Sequence, residues 1–328
     1  MVNVKKIVVF GASGDVGRYF IDYLLQNKLE YEIHAVGKRK EFNVFASAEN
    51  VFYYSVDISD KDEFSLLPED IYAVVDFAGF MPARMRGYNP QKYIDINVTG
   101  TLNILEYARR TNADRILFMQ SFGDIKDYGD TQVLLTANMP RKFSMKTDHS
   151  VYVMSKNFAV DLIDNYHQMY GLKKFIFRLP TIYLYSKHDK YFVDGVERQL
   201  GYRKLIDMAK SGQTMEVWGD SKRVKDMVYV KDFCQMLVLA LDADRDTGYY
   251  NVGTGVGTSL IEQIQGIVKI FGNNNKIVLC PDKPNAPQYI MDITPARLEL
   301  GYKPKYDYLS MLKDLKKEME TQRLYLRD

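Results

Sequence analysis

Ile7-Val8-Val9-Phe10-Gly11-Ala12-Ser13-Gly14-Asp15-Val16-Gly17 decides the fold. The first four residues are apolar and mostly β-branched, the pattern of a short strand buried on both faces. Three glycines follow at intervals of three. From about Arg18 to Asn27, Phe20, Ile21, Leu24 and Leu25 recur at helical spacing and form one apolar stripe. Strand, glycine turn and helix in this order form a dinucleotide-binding unit. Gly11 permits the tight turn, Gly14 lets the backbone approach a pyrophosphate, and Gly17 lets the helix pack close to the strand. The helix N-terminus offers free N–H groups and a positive dipole end to the phosphates. Ser13, Asp15 and Val16 share the turn and join the glycines as expected cofactor contacts. The spacing is Gly-x-x-Gly-x-x-Gly and not Gly-x-Gly-x-x-Gly, so an ordinary glycine-rich loop is the alternative.

A second strand, Glu32–Val36, ends at Gly37, twenty residues after Gly17. An NAD site usually places an acid there for the adenine-ribose hydroxyls. Here the chain reads Gly37-Lys38-Arg39-Lys40. Lys38 and Arg39 attract a 2′-phosphate, arginine bidentately. NADP(H) is therefore favoured and NAD(H) stays possible; the alternative is a solvated basic turn. Phe52–Val56 reads as a strand leading into Asp57-Ile58, where Asp57 either accepts from an adenine amino group or caps the next turn. Tyr72–Phe77 reads as a buried strand closing in Phe77-Ala78-Gly79, whose small residues suit a cofactor crossing the sheet edge.

A helix beginning near Asn97 carries Leu102, Ile104, Leu105, Tyr107 and Ala108 at helical spacing. Arg115–Gln120 is the next strand, with Ser121 at its end. A helix opening near Tyr152 bears Phe158, Leu162, Ile163, Tyr166 and Met169, a stripe for core or subunit interface. Phe175–Leu179 is the sixth strand. This alternation through about residue 180 predicts an α/β fold with a doubly wound parallel sheet. Beyond it proline and glycine become denser, and a second, smaller domain is expected. Charge-rich Lys313–Arg327 fits a solvated terminal helix.

With 328 residues the chain is long enough for a sizeable core. A net charge of +2 and the absence of a dense basic tract argue against nucleic-acid binding. No stretch approaches the ~18 apolar residues of a membrane span, and the first apolar run is too short for a signal peptide. Cys234 and Cys280 lack metal spacing and read as free thiols of a reducing cytosol. A cytoplasmic protein is expected. His34, His149, His167 and His188 are scattered, so no metal site is expected.

Tyr152-Val153-Met154-Ser155-Lys156 carries the chemistry. A tyrosine and a lysine four residues apart share a helix face. An ammonium near a phenol favours phenolate, so the tyrosine can exchange a proton near neutral pH.

Several stretches together resemble the extended short-chain dehydrogenase/reductases, the NAD(P)-dependent epimerase/dehydratase family acting on nucleotide-sugars. Asn97-Val98-Thr99-Gly100-Thr101-Leu102-Asn103-Ile104-Leu105-Glu106 is similar to the family's Asn-Val-x-Gly-Thr-x-Asn-Leu-Leu-Glu helix. Ser121, Tyr152 and Lys156 resemble its catalytic triad. Trp218-Gly219-Asp220 and Lys225-Asp226-Met227-Val228-Tyr229-Val230-Lys231-Asp232 resemble its Gly-Asp-Gly … Arg-Asp-Phe-x-x-Val-x-Asp segment. Tyr250–Gly255 and Leu298–Pro304 match two later stretches.

The resemblance implies a Rossmann-type domain over residues 1–180, with 227–252 returning to it. It implies a smaller mixed α/β C-terminal substrate domain over 181–226 and 253–328. It implies a homodimer through a four-helix bundle. Lys156 would bond the nicotinamide ribose, Tyr152 would move the proton during hydride transfer, and Ser121 would bond the same substrate oxygen. Asn97 would support Lys156 through water, or cap its helix. Dehydratases of the family carry Asp-Glu directly after the serine or threonine; here Phe122-Gly123 stand there.

Lys225 stands where the family's nucleotide-contacting segment carries arginine, and the family's late, diphosphate-contacting arginine has no clear counterpart, Lys283 lying nearest, so Arg178 and Arg223 are expected to compensate at the substrate. The first expectation is an NADPH-dependent ketosugar (4-keto) reductase, and the alternative is a nucleotide-sugar 4-epimerase with tightly bound NAD(P). Behind these stand a 4,6-dehydratase, a reductase of a non-nucleotide carbonyl and an NADP(H)-sensing binding protein.

Overall fold

The computed structural model describes residues 4–129, 131, 133–193 and 196–326. The central sheet has seven strands: β1 (Lys5–Phe10), β2 (Tyr31–Gly37), β3 (Val51–Ser55), β4 (Ala73–Asp76), β5 (Arg115–Ser121), β6 (Lys173–Leu179) and β7 (Thr247–Asn251). Their order is β7-β6-β5-β4-β1-β2-β3, and every pairing is parallel. The chain starts in the middle, winds outward through β2 and β3, then returns past β1 to β4. This is the expected doubly wound α/β sheet. Its last strand comes from far downstream, with Asn251 in register with Arg178.

Both faces of the sheet are covered, which explains the uninterrupted apolar runs. Val8, Phe10, Val74, Ile116 and Phe118 face one cluster, with α2 (Gly100–Arg110) and α3 (Ser150–Tyr170). Ile7, Val9, Val75, Leu117 and Phe177 face the other, with α1 (Asp15–Gln26) and α4 (Val230–Leu241). Helices Gly201–Lys210, Leu260–Phe271 and Tyr308–Thr321 pack beside one another, with short paired strands between them. Asp226, fully buried, ties these strands together: it accepts from Thr254 N (2.8 Å), Gly255 N (3.0 Å) and Met291 N (3.2 Å).

The structure departs from the periodicity in four places. Helix α1 begins at Asp15, not Arg18, because Gly14 already caps it. Gln91–Arg110 is one helical run containing a π turn at Ile94–Thr99, so Asn97 lies inside it and is not an N-cap. Leu102, Phe158 and Met169 are exposed, because the buried faces of α2 and α3 run through Ile104, Tyr107, Ala108, Ile163 and Tyr166. The terminal helix buries Met311, Leu312, Leu315 and Glu318, whose carboxylate meets Lys231 and Arg323.

The end of the chain closes on α1. Arg18 donates to the Leu324 carbonyl (2.9 Å), and the Tyr325 hydroxyl donates to Asp15 (2.8 Å). Among the described residues no helix is long and apolar enough to cross a membrane.

A Cβ on Gly17 would lie 2.5 Å from the Gly11 carbonyl oxygen and 2.8 Å from the Ala12 Cα. Backbone cannot yield there as a side-chain tip would. Gly17→Ala is expected to lose about 1–3 kcal/mol in urea unfolding.

Candidate active site

The ends of β1 and β4 lie side by side where the sheet order reverses between them. Such a switch point leaves a crevice outside the carboxyl ends of the strands. A cavity of about 860 Å³ opens there. One end is the glycine turn, where Gly11, Ser13, Gly14, Asp15, Val16 and Gly17 line the wall. Lys38, Asp57 and Ile58 line it at the ends of β2 and β3, and Phe77-Ala78-Gly79 line it after β4. Ser121, Tyr152 and Lys156 line the other end, so these three come together from a strand end and one helix face. Further lining comes from Met81, Arg84, Lys126, Thr181 and Tyr202, which sequence patterns do not single out.

This geometry receives a dinucleotide. Gly11 has φ +74°, and a Cβ there would lie 2.8 Å from the Ala78 nitrogen. The turn is therefore free of side chains where backbone must approach backbone. Helix α1 starts within it and points its N-terminus at the cavity.

A family model described as the NAD dependent epimerase/dehydratase family matches residues 7–253. The chain belongs to this family. It is an enzyme of the extended short-chain dehydrogenase/reductase type, and membership carries a pyridine-nucleotide cofactor with it. A protein of Methanocaldococcus jannaschii provisionally named a UDP-glucose 4-epimerase is 29% identical over 92% of this chain and 94% of its own. UDP-glucuronic acid decarboxylase 5 of Arabidopsis thaliana is 26% identical over 92% of this chain and 85% of its own. Among solved structures, a UDP-glucose 4-epimerase from Thermotoga maritima with UDP-glucose has a TM-score of 0.75 at 22% identity. It covers 96% of this chain and 99% of its own. At that identity the likeness speaks for the fold.

Within this epimerase/dehydratase scaffold, Tyr152 is half-buried. Burial pushes its phenol up, and a hydrogen bond with Ser121 pulls it partly back. The Ser121 hydroxyl also accepts from Gly123 N at 3.0 Å, which starts the 3-10 turn Phe122–Tyr128. Burial pushes the Lys156 ammonium down to about 8, and the charge opposing that shift is Asp76. In the free protein the charge that favours the ammonium is that of Asp76.

Asn97 does not line the cleft. It fastens the loop after β4: Phe80 N donates to its Oδ1 (2.7 Å), and its Nδ2 donates to Phe80 O (3.0 Å) and Ser155 Oγ (3.0 Å). Ser155 in turn donates to the Tyr152 carbonyl (2.7 Å), so Asn97 reaches the tyrosine's helix through Ser155.

Arg178 corrects the sequence expectation. It is buried and faces away from the cleft, donating to Asp124 (2.9 Å), to the Ala137 carbonyl (3.0 Å) and to Asn251 (3.1 Å). Its charge is spent inside the protein, locking the segment after Ser121 to β6 and β7. Arg39 is also off the cleft wall, its carbonyl accepting from Tyr53 (2.6 Å). Arg223 donates to the Ala286 carbonyl (2.6 Å). Lys225 stands beside the Tyr289 (5.6 Å) and Tyr183 (6.0 Å) rings, Tyr183 falling between the cleft residues Ile182 and Leu184 in the chain.

Asp76 and Tyr93 are functional neighbours that pattern reasoning missed. The Tyr93 ring packs 5.8 Å from that of Tyr152. The available signal for Asp76 was an acid closing an otherwise apolar strand, Ala73-Val74-Val75-Asp76. Among the described residues no cluster of three metal-ligating side chains occurs.

Arg178→Met strands the buried Asp124 carboxylate and is expected to cost about 3–5 kcal/mol of stability in urea unfolding. Unchanged stability with a selective rise in substrate KM would return Arg178 to the substrate site.

Proposed function

We propose that the protein is a nucleotide-sugar 4-epimerase with a tightly held pyridine dinucleotide. The convergence of Ser121, Tyr152 and Lys156 on the same cleft as the glycine turn carries this proposal. When bound, the dinucleotide accepts hydride from a sugar carbon and can give it back. Tyr152 takes the proton of the sugar hydroxyl and returns it after the sugar has turned over. Ser121 hydrogen-bonds that oxygen and keeps it in line with the phenol. Lys156 bonds the nicotinamide ribose and supplies the positive charge that favours phenolate.

Sequence alone put a 4-keto reductase using NADPH first, on the strength of Lys38 and Arg39. Two observations favour the epimerase. Lys38 is paired with Asp57 at 2.5 Å and Arg39 lies off the cleft wall, so the basic turn offers less to a 2′-phosphate. The relative from Methanocaldococcus jannaschii also bears an epimerase name. The reductase remains the second reading because Lys38 lines the cleft and releases its charge if Asp57 turns to the adenine. Dehydration is not supported: Phe122-Gly123 follow Ser121, and the next acid, Asp124, is buried against Arg178.

We assign cofactor binding to residues 1–180 and 227–252, and substrate binding to 181–226 and 253–328. Lys225 and Arg223 are the candidate phosphate contacts. Burial pushes the Lys225 ammonium down to about 8, and a diphosphate beside it would restore its charge. Exposed Leu102 (39%), Met154 (40%) and Phe158 (51%) on α2 and α3 support a homodimer through a four-helix bundle.

Purified protein, denatured and analysed by mass spectrometry, is expected to release a stoichiometric dinucleotide whose mass distinguishes NAD from NADP. Incubation with UDP-glucose or UDP-N-acetylglucosamine is expected to yield the 4-epimer by NMR. Protein isolated without dinucleotide, consuming NADPH with a 4-ketosugar, would replace the epimerase with the reductase. Tyr152→Phe is expected to lower kcat about 100-fold or more while leaving dinucleotide content unchanged. Phe158→Glu is expected to halve the mass measured by light scattering.

A further inference from the structure

Asp76 ends β4 and is 1% exposed, directly before the cleft residues Phe77-Ala78-Gly79. An acid in that position needs a reason, since burying an unpaired carboxylate is costly. Its Oδ1 accepts from the Ala78 nitrogen at 2.8 Å, which shapes the turn Phe77-Ala78-Gly79. Strand alternation puts it on the same face as Val74, the face that α2 and α3 cover. Its register partners are Phe10 of β1 and Phe118 of β5. The Lys156 Nζ lies 3.8 Å from the centroid of that Phe118 ring. A Cβ on Gly79, three residues beyond Asp76, would come within 4.0 Å of the same Nζ. Aspartate and lysine thus occupy one buried corner, the aspartate at the sheet and the lysine between it and the cleft.

We propose that Asp76 is a positioning residue for Lys156: its buried carboxylate acts through space to keep the ammonium charged at the cleft wall, ready for the cofactor ribose. This rests on the role given to Lys156 above. The charges around the pair are few. Tyr152 lies on the same helix, Ser121 faces it from β5, Tyr93 packs on the Tyr152 ring, and Asn97 and Ser155 are neutral. Among the described residues, the charge acting on Asp76 is Lys156 and the charge acting on Lys156 is Asp76.

Burial raises Asp76 to about 6 and lowers Lys156 to about 8, each shift opposed by the partner. Both groups are charged together only between those values. Without the carboxylate, burial alone acts on the lysine, which then loses its proton at lower pH.

The test is NMR titration of the full-length protein carrying [ε-13C]lysine, with Lys156→Met identifying the Lys156 signal. In the unmodified protein the Lys156 signal should show a second inflection near pH 6, as Asp76 gains its proton. In Asp76→Asn, which keeps an acceptor for the Ala78 nitrogen, the Lys156 midpoint should fall by about one unit or more. Asp76→Ser, also an acceptor, should give the same direction. The alkaline limb of kcat/KM should move to lower pH by a matching amount. A single inflection in the unmodified protein, or an unmoved midpoint in a folded variant, would overturn the proposal. If instead the inflection and shift occur while Lys156→Met keeps full turnover, the pairing stands and the catalytic role of Lys156 falls.

Discussion

The structure depends on a contact that excludes a side chain. The Gly11 carbonyl occupies the space into which a residue-17 Cβ would project. That contact brings α1 against β1 and points its N-terminus at the carboxyl edge of the sheet. The cleft, the dinucleotide geometry and the switch point between β1 and β4 all follow from this approach. The end of the chain reinforces it, since Leu324 and Tyr325 hydrogen-bond to Arg18 and Asp15 of the same helix.

Around this frame, buried carboxylates do the organising, each matched to its own partners as low-dielectric surroundings require. Asp226 gathers backbone amides from two segments and joins the short strands of the C-terminal part. Asp124 holds Arg178 and so anchors the segment that follows Ser121. Asp76 faces Lys156. The first two of these stiffen the scaffold; the third precedes the cleft residues Phe77-Ala78-Gly79. The difference is access, because the Lys156 amine lines the cleft whereas the Arg178 guanidinium does not.

The same logic explains which residues were legible. Ser121, Tyr152 and Lys156 stand at a strand end and one helix face, where local periodicity predicts orientation. Arg178 looked like a substrate contact because an arginine at a strand end is available in principle. Its partners, Asp124, Ala137 and Asn251, lie 54, 41 and 73 residues away, beyond the reach of pattern reading. Lys38 and Arg39 read as a 2′-phosphate site, and the structure pairs Lys38 with Asp57, 19 residues on, which pattern reading does not reveal. Leu102 and Phe158 fitted apolar stripes, yet packing chose the neighbouring faces of α2 and α3.

By itself the sequence determined the alternation of strands and helices, the glycine turn and the doubly wound sheet, because these depend on local periodicity and on glycine's missing side chain. It also placed the glycine turn, Ser121, Tyr152 and Lys156 where they reach the cleft. Only the tertiary structure decided which charges remain free to act. A charge acts through its partners, and partners such as Asp76 for Lys156, or Asp124 for Arg178, become neighbours only when the strands align.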